Sequence, residues 1–294
     1  MTLEQLRIFI AVAERQHVTR AAQALNLTQS AVSSAITTLE GRHGVALFDR
    51  VGRSIVLNRA GEVFLAEARK VLGQAEAAEA ALSDLSGLAR GRLSIHASQT
   101  IASYWLPPRL ARFHEKHPGI ELDVAMANTA QVARAVAEGE AELGLVEGLV
   151  DHPALSRSVI DTEALSLVVS PDHPWANHPP GAALDLASTR WVLREPGSGT
   201  RAAFQDMLTH REMSLADLTI AMVLPGNEAV RTAVEAGAGA GVMSRTVALL
   251  GVKRGALVEV ELDLPPREFH LLRHKQRYRS KAGDAFLAMA KPRD

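Results

Sequence analysis

Residues 19–40 read TRAAQALNLTQSAVSSAITTLE, and the fold of the N-terminal region turns on them. Their apolar spacing predicts a short helix over Thr19–Leu25, with Thr19 as N-cap and Ala21, Ala22 and Leu25 facing inward. A turn at Asn26-Leu27 follows. Thr28 then caps a third helix running to about His43, with Ala31, Val32, Ala35, Ile36 and Leu39 on its buried stripe. Upstream, Leu3, Leu6, Phe9, Ile10 and Val12-Ala13 mark a first helix. Two helices joined by a short turn make a helix-turn-helix, and the small Ala21 and Ala22 let them cross closely.

Downstream, ALFDRVGRSIVLNRAG holds two short apolar strands, Ala46-Leu47-Phe48 and Ile55-Val56-Leu57, around a turn at Gly52. This reads as a two-stranded wing with Arg50 and Arg53 near its tip. Residues 1–58 carry six Arg against four acids, a net of +2, whereas the rest of the chain carries −3. The positive end suits phosphate contacts, and two such ends in a dimer suit them better.

Residues 59–88 place Phe64, Ala68, Val71, Ala75, Ala78, Leu82 and Leu85 at alternating steps of four and three, a heptad seam. A long Ala-rich helix with that stripe is expected to dimerise; the alternative is that it lies on its own C-terminal domain. Gly73 interrupts the run and weakens it locally. SGLARG at 86–91 reads as a hinge.

From Gly91 onward strand and helix patterns alternate. LSIHAS, IELDVAMA and AELGLVEG are strands, separated by helices at Ile101–Lys116 and Ala130–Glu138. A second set follows: LSLVVS; WVLREP with a helix from about Ser198; LTIAMVL with a helix from about Asn227; then GVMS, ALVEVEL and EFHLLR, with a last helix at Ser280–Ala290. This alternation predicts βαβ units and a mainly parallel sheet, an α/β class with an all-α winged head.

The stretches LRIFIAVAE, TRAAQALNLTQSAVSSAITTLE and LFDRVGRSIVLNRAGEVF resemble the LysR-type transcriptional regulators, and the resemblance extends over the whole chain. It implies a winged helix-turn-helix at 1–58, a linker and dimerisation helix with hinge at 59–90, and an effector-binding domain at 91–294. That domain would have the two-lobed fold of type II periplasmic binding proteins, with lobe I at about 91–162 and 267–294 and lobe II at about 163–266. It also implies that the third helix enters the major groove. Thr28, Gln29, Ser30, Ser33, Ser34 and Thr37 are then the candidate DNA contacts: Gln pairs with adenine, and Ser and Thr with several base edges. Many members carry a basic residue near Ser34 or Thr37, and this chain does not. Arg50 and Arg53 suit phosphate contacts that set register.

In open α/β sheets ligands sit at the carboxyl ends of strands, on helix N-termini. Candidate effector contacts are therefore Ser98, Gln99 and Thr100; Asn128 and Thr129; Glu147; Ser198, Thr200 and Arg201; and Asn227. Opposed helix starts plus Arg201 suit a small anion, with Glu147 paired to Arg201 or protonated. The plainer reading is that Ser98, Ser198 and Asn227 only cap helices. ASQTIASYWLPP, LGLVEG and REPGSGTR resemble the sulfur-assimilation regulators, and REPGSGTR also the carbon-fixation regulators. A sulfite-like oxyanion or a phosphorylated metabolite is the effector this implies. The implied partners are double-stranded promoter DNA, RNA polymerase and a second copy of the chain, as homodimer or homotetramer.

Composition bounds the alternatives. With 294 residues, 47% hydrophobic and 22% charged, the chain reads as globular. It has no cysteine and no apolar run of about 18 residues, and MTLEQLRIFIAVAERQ is amphipathic rather than a signal peptide, so a cytoplasmic location is expected and no membrane partner. A solute-binding protein of the same fold, without a regulatory role, is the alternative. An enzyme is not expected: Ser198 lacks the glycine flanks of a nucleophile elbow, and GAGAG at 237–241 follows a helix instead of preceding one. The pairs His114/His117 and His173/His178 lack nearby carboxylates at helical spacing, so neither metal nor cofactor is expected.

Overall fold

The structure, a computed structural model, describes residues 1–51, 54–85, 91–177 and 183–290. Gly52, Arg53 and most of the expected hinge lie outside them.

The head is built from α1 (Leu3–Arg15), α2 (Val18–Ala24) and α3 (Gln29–His43). Thr2 and Gln5 close a capping box on α1. The N-cap of α2 is His17, not Thr19: its ring Nδ1 accepts the Arg20 N–H, so the helix starts one residue before the expected cap. Thr28 caps α3 as expected, its hydroxyl accepting from Ala31 N at 3.2 Å. Ala31 itself is exposed, because the buried stripe begins one residue later, at Val32. Gly44, at φ 65°, ends α3 in the left-handed region that glycine enters freely. The wing pairs β1 (Phe48–Val51) with β2 (Ser54–Leu57), so the first strand sits two residues later than its apolar run suggested. Phe9 lies between Phe48 of the wing and Phe64 of the next helix, with ring centroids 5.4 and 4.8 Å away.

That next helix is α4 (Arg59–Leu85). Its heptad stripe divides. Phe64 and Ala68 pack into the head's own core, whereas Val71, Leu82 and Leu85 are 43, 69 and 84% exposed. A different face of α4 lies on the chain's own C-terminal domain. There Gly73 meets Gly139, and a Cβ on Gly73 would stand 2.6 Å from the Gly139 carbonyl oxygen. Gly73 is thus required by a close backbone approach, more than it is a weak point in the helix.

The C-terminal region has two sheets, each covered on both faces. The first has the order β4-β3-β5-β12-β6, from β3 (Gly91–Ser98), β4 (Ile120–Ala127), β5 (Leu143–Glu147), β6 (Leu155–Glu163) and β12 (Arg267–His274). β3 runs parallel to β4 and β5; β12 is antiparallel to β5 and β6. On one face lie α5 (Leu106–Lys116) and α10 (Lys281–Ala290), and on the other α6 (Thr129–Glu138). The expected helix Ile101–Lys116 begins as a π-helical turn, Ile101–Trp105, before Pro107 and Pro108 set the α-helix.

The second sheet joins β7 (Leu165–Val169), β10 (Gly241–Ser244) and β11 (Val258–Val260) to the parallel pair β8 (Arg190–Arg194) and β9 (Thr219–Leu224) through a bridge between Trp191 and Ala240. The helices α7 (Gly199–His210), α8 (Asn227–Glu235) and α9 (Arg245–Lys253) cover it. The chain passes between the lobes twice, from β6 into β7 and back along β12. β6 and α9 carried no sequence expectation. β6 is an edge strand whose polar SRSVIDTE hides its period, and α9 is nine residues of mixed RTVALLGVK.

Gly73→Ala should show which effect governs this joint. Alanine favours an isolated helix by about 1 kcal/mol, but overpacking against backbone costs about 1–3 kcal/mol. A lower urea midpoint is expected for Gly73→Ala, with the exposed neighbour Gln74→Ala neutral or stabilising. A raised midpoint for Gly73→Ala would refute the close approach.

Candidate functional site

On the head, the solvent face of α3 presents Gln29, Ser30, Ser33, Ser34 and Thr37, all exposed. Thr28 is committed to its cap and to a 3.1 Å contact with Ser30 Oγ. Arg50 is exposed on the wing, opposite Ile55. Arg53 is outside the described residues.

The second candidate site lies between the lobes. The parallel strands β3, β5, β8 and β9 end at Ser98, Glu147, Arg194 and Leu224, and the turns that follow face one another. Arg267 is at the centre. It opens β12 directly opposite Glu163, the last residue of β6, so it sits where the chain crosses between lobes. Its guanidinium is almost fully buried and pairs with Glu163. It also donates to Thr200 Oγ1 at 2.7 Å and to Thr100 Oγ1 at 3.2 Å, and stands 3.8 Å from Glu147.

The expected residues divide into three groups around it. Thr100, Thr200, Asn227 and Glu147 form the buried cluster: Asn227 Nδ2 donates to Thr100 Oγ1 at 3.0 Å, and Glu147 accepts the Thr100 N–H at 3.2 Å. Asn227 is not the cap of α8; that position is Gly226, and the Asn227 carboxamide instead accepts from buried Arg194. Gln99 reaches across the lobes, accepting from Asn227 N at 2.9 Å and donating to the Pro225 carbonyl at 3.4 Å. Asn128 caps α6 and also reaches Glu195 of lobe II at 3.5 Å.

Three of the remaining four serve local structure. Ser198 caps α7, Ser98 donates to the Leu145 carbonyl, and Thr129 donates to the Glu147 carbonyl. The fourth is Arg201, whose guanidinium donates to the Arg194 carbonyl at 3.0 Å, within its own lobe. The partner of Glu147 is Arg267 rather than Arg201.

Arg267, Arg194 and Glu163 had no sequence expectation. Arg194 stood inside REPGSGTR. Arg267 opens a strand with no motif around it; its one signal is an arginine at the start of a run otherwise expected to be buried.

Titration follows from burial. Burial pushes the Glu163 carboxyl up, drawn back in part by Arg267 and by the Ser244 hydroxyl. At the cleft edge, Tyr104 Oη donates to Glu228 at 2.7 Å, and burial together with that bond pushes the phenol to about 12. For Glu195 burial again acts upward, but the Arg194 ion pair and the Asn128 amide outweigh it, so its carboxyl lies below the usual range. The cleft thus holds two buried guanidinium groups, two hydroxyls and three helix starts, with carboxylates balancing the arginines. Both guanidinium groups are already partnered by carboxylates within the protein.

The chain matches two family models. Residues 3–62 match the bacterial regulatory helix-turn-helix protein, lysR family, and residues 86–293 the LysR substrate binding domain. It is 35% identical over 299 residues to the HTH-type transcriptional regulator YeiE of Escherichia coli K12, a match spanning 99% of this chain and 98% of that one. It is 33% identical over 290 residues to a probable RuBisCO transcriptional regulator of Cyanidioschyzon merolae, spanning 97% and 96%. Among solved structures, the regulatory domain of Synechocystis PCC6803 CcmR in complex with 2-PG superposes with a TM-score of 0.62 at 25% identity, over 68% of this chain and 96% of that one. No described helix is long and apolar enough to cross a membrane. The chain belongs to the LysR family of transcriptional regulators, with a DNA-binding helix-turn-helix followed by an effector-binding domain.

Proposed function

We propose that residues 1–58 read promoter DNA, 59–90 pair two copies of the chain, and 91–294 sense a small anion that changes how the two heads are spaced. Buried Arg267, shared between hydroxyls of opposite lobes, carries this reading: a group with that charge and that placement binds an anion and reports lobe closure together. The Thr100 oxygen accepts from Arg267 and Asn227, so its own O–H is oriented to donate to an oxyanion entering the cleft. The ligand of CcmR, 2-PG, supports a phosphorylated metabolite; a sulfite-like oxyanion fits the same donors. The chain acts by binding alone, in the cytoplasm, as a homodimer or homotetramer that recruits RNA polymerase. The exposed stretch of the α4 stripe, Val71 to Leu85, supports the pairing.

On DNA, Gln29→Ala should relax sequence preference at one base pair, because a bidentate base contact is lost. Arg50→Ala should weaken all sequences alike and flatten the salt slope. Footprinting in which the Gln29 variant keeps every preference removes that residue from readout. For assembly, Leu82→Glu would put an unpaired charge into the seam. Light scattering should report dissociation, and an unchanged oligomer mass in a folded variant would exclude the seam.

For the cleft, calorimetry of the full-length protein against sulfite, sulfate and 2-PG is the direct test. Thr100→Val should cost about 1–3 kcal/mol of anion affinity. The pH dependence has a definite sign. Because Glu163 is raised by burial, it takes up a proton as pH falls and leaves Arg267 to the ligand. Sulfate affinity should therefore rise between about pH 7 and about pH 5, and Glu163→Gln should flatten that rise. Wild-type affinity in Thr100→Val, with no dependence on pH, would place the anion elsewhere.

A further inference from the structure

Outside the cleft, one buried cation joins all three parts of the chain. Arg69 lies on α4, with its side chain about nine-tenths buried. Its Nη2 donates to Glu14 of α1, in the head, at 2.9 Å. Its Nη1 donates to Glu138, the last residue of α6, at 3.0 Å, and its Nε faces Glu140. One turn further along α4, Gly73 touches Gly139. The end of α6 is thus gripped by the linker helix at two adjacent points.

The other end of α6 is held by lobe II. Asn128 at its cap reaches Glu195, and the Ala130 N–H donates to the Gly197 carbonyl at 3.2 Å. Ten helical residues make a rod of about 15 Å between these anchors. Further along α4 a cavity of about 320 Å³ lies between the helix and lobe I, lined by Ala77, Ala80, Arg92 and Glu121. At its far end α4 is held again: buried Asp84 accepts from Tyr278 Oη and from Lys281 N, each at 2.8 Å. Displacement of α6, which meets α4 at Arg69 and Gly73, is therefore delivered at the head end of the helix. We propose that Arg69 is a positioning residue: it transmits the state of the inter-lobe cleft, carried by α6, to the DNA-reading head of the same chain. This rests on the cleft being the effector site.

The charge balance supports the assignment. Three carboxylates share one guanidinium, so without it Glu14 would stand among like charges and the head would lose its tie to lobe I. Only a planar fork reaches several carboxylates at once, a geometry lysine lacks. Arg15, 3.6 Å from Glu14, stays within the head and does not bridge to lobe I.

The test needs no effector and uses the full-length chain, followed by amide hydrogen exchange. Gln99→Ala with Tyr104→Phe removes bonds that clasp the lobes. Glu138→Gln with Glu140→Gln cuts the sensor side of the joint. Loosening the clasp should speed exchange in α6 and, by about threefold or more, in α1. With the joint cut, α6 should respond as before and α1 should not. Arg69→Lys should uncouple α1 in the same way while circular dichroism stays native, an effect that a purely structural role would not produce. A response of α1 that survives both the joint variant and Arg69→Lys would overturn the proposal. So would an α6 that ignores the loosened clasp, or an α1 that stays silent while α6 responds. Anion calorimetry on the unmodified protein judges the cleft reading separately, so failure of one is not mistaken for failure of the other.

Discussion

The arrangement of the sensor depends on the pairing of Arg267 with Glu163. Removing two charges from water is costly, and a buried ion pair seldom stabilises a fold more than an apolar pair of the same volume would. What this one supplies is definition. Arg267 and Glu163 face each other in the register of β12 and β6, at the point where the chain passes between lobes. The guanidinium donors not used by Glu163 go to Thr200 and Thr100, from opposite lobes. Other lobe orientations would leave a buried charge short of partners, so the arginine selects this one. Under the proposed reading an anion would meet the same guanidinium on entering, so recognition and lobe geometry would share the same atoms.

A second constraint acts on α4, which presents three different surfaces around its circumference. Phe64 and Ala68 belong to the head's core, Arg69 and Gly73 to the joint with lobe I, and Val71, Leu82 and Leu85 face outward. The heptad spacing therefore described two surfaces at once. Near the head the stripe is buried within the chain, and further along it is exposed. A helix carrying three jobs cannot be optimised for any of them, which accounts for a glycine in the middle of an otherwise Ala-rich helix.

The difference between what the sequence disclosed and what it concealed follows the same physics. The head was legible because its signals are local: Thr28 at a cap, Val32, Ile36 and Leu39 at helical spacing, and two strands round a turn. The lobes were legible because strands buried on both faces, such as LGLVE and LSLVV, are almost wholly apolar runs. β6 was not, since an edge strand exposes one side and its polar residues mask the period. Within the cleft, the turns with hydroxyls and glycine that the sequence singled out face one another, but the buried cations among them are Arg194 and Arg267. Arg201 adjoins a helix start and looked like an anion partner, yet its chain turns it onto the Arg194 carbonyl. Arg267 became a partner of Thr100 and Thr200 only through a strand crossing that no local pattern encodes. The joint at Arg69 was concealed for the same reason, because Glu14, Glu138 and Glu140 are brought together by tertiary structure alone.

The closed cleft also limits how a ligand acts. The lobes meet through Gln99–Asn227, Thr100–Asn227 and Tyr104–Glu228. A ligand has to replace some of these bonds with its own, and only the difference between its affinities for the two arrangements shifts their populations. The bonds at the rim, from Gln99 and Tyr104, are part-exposed and easily exchanged with water, whereas those at Arg267 are buried. A small anion held by the buried set would leave the rim intact and tighten the closed form. A larger one, extending between Tyr104 and Glu228, would open the rim while still satisfying the arginine.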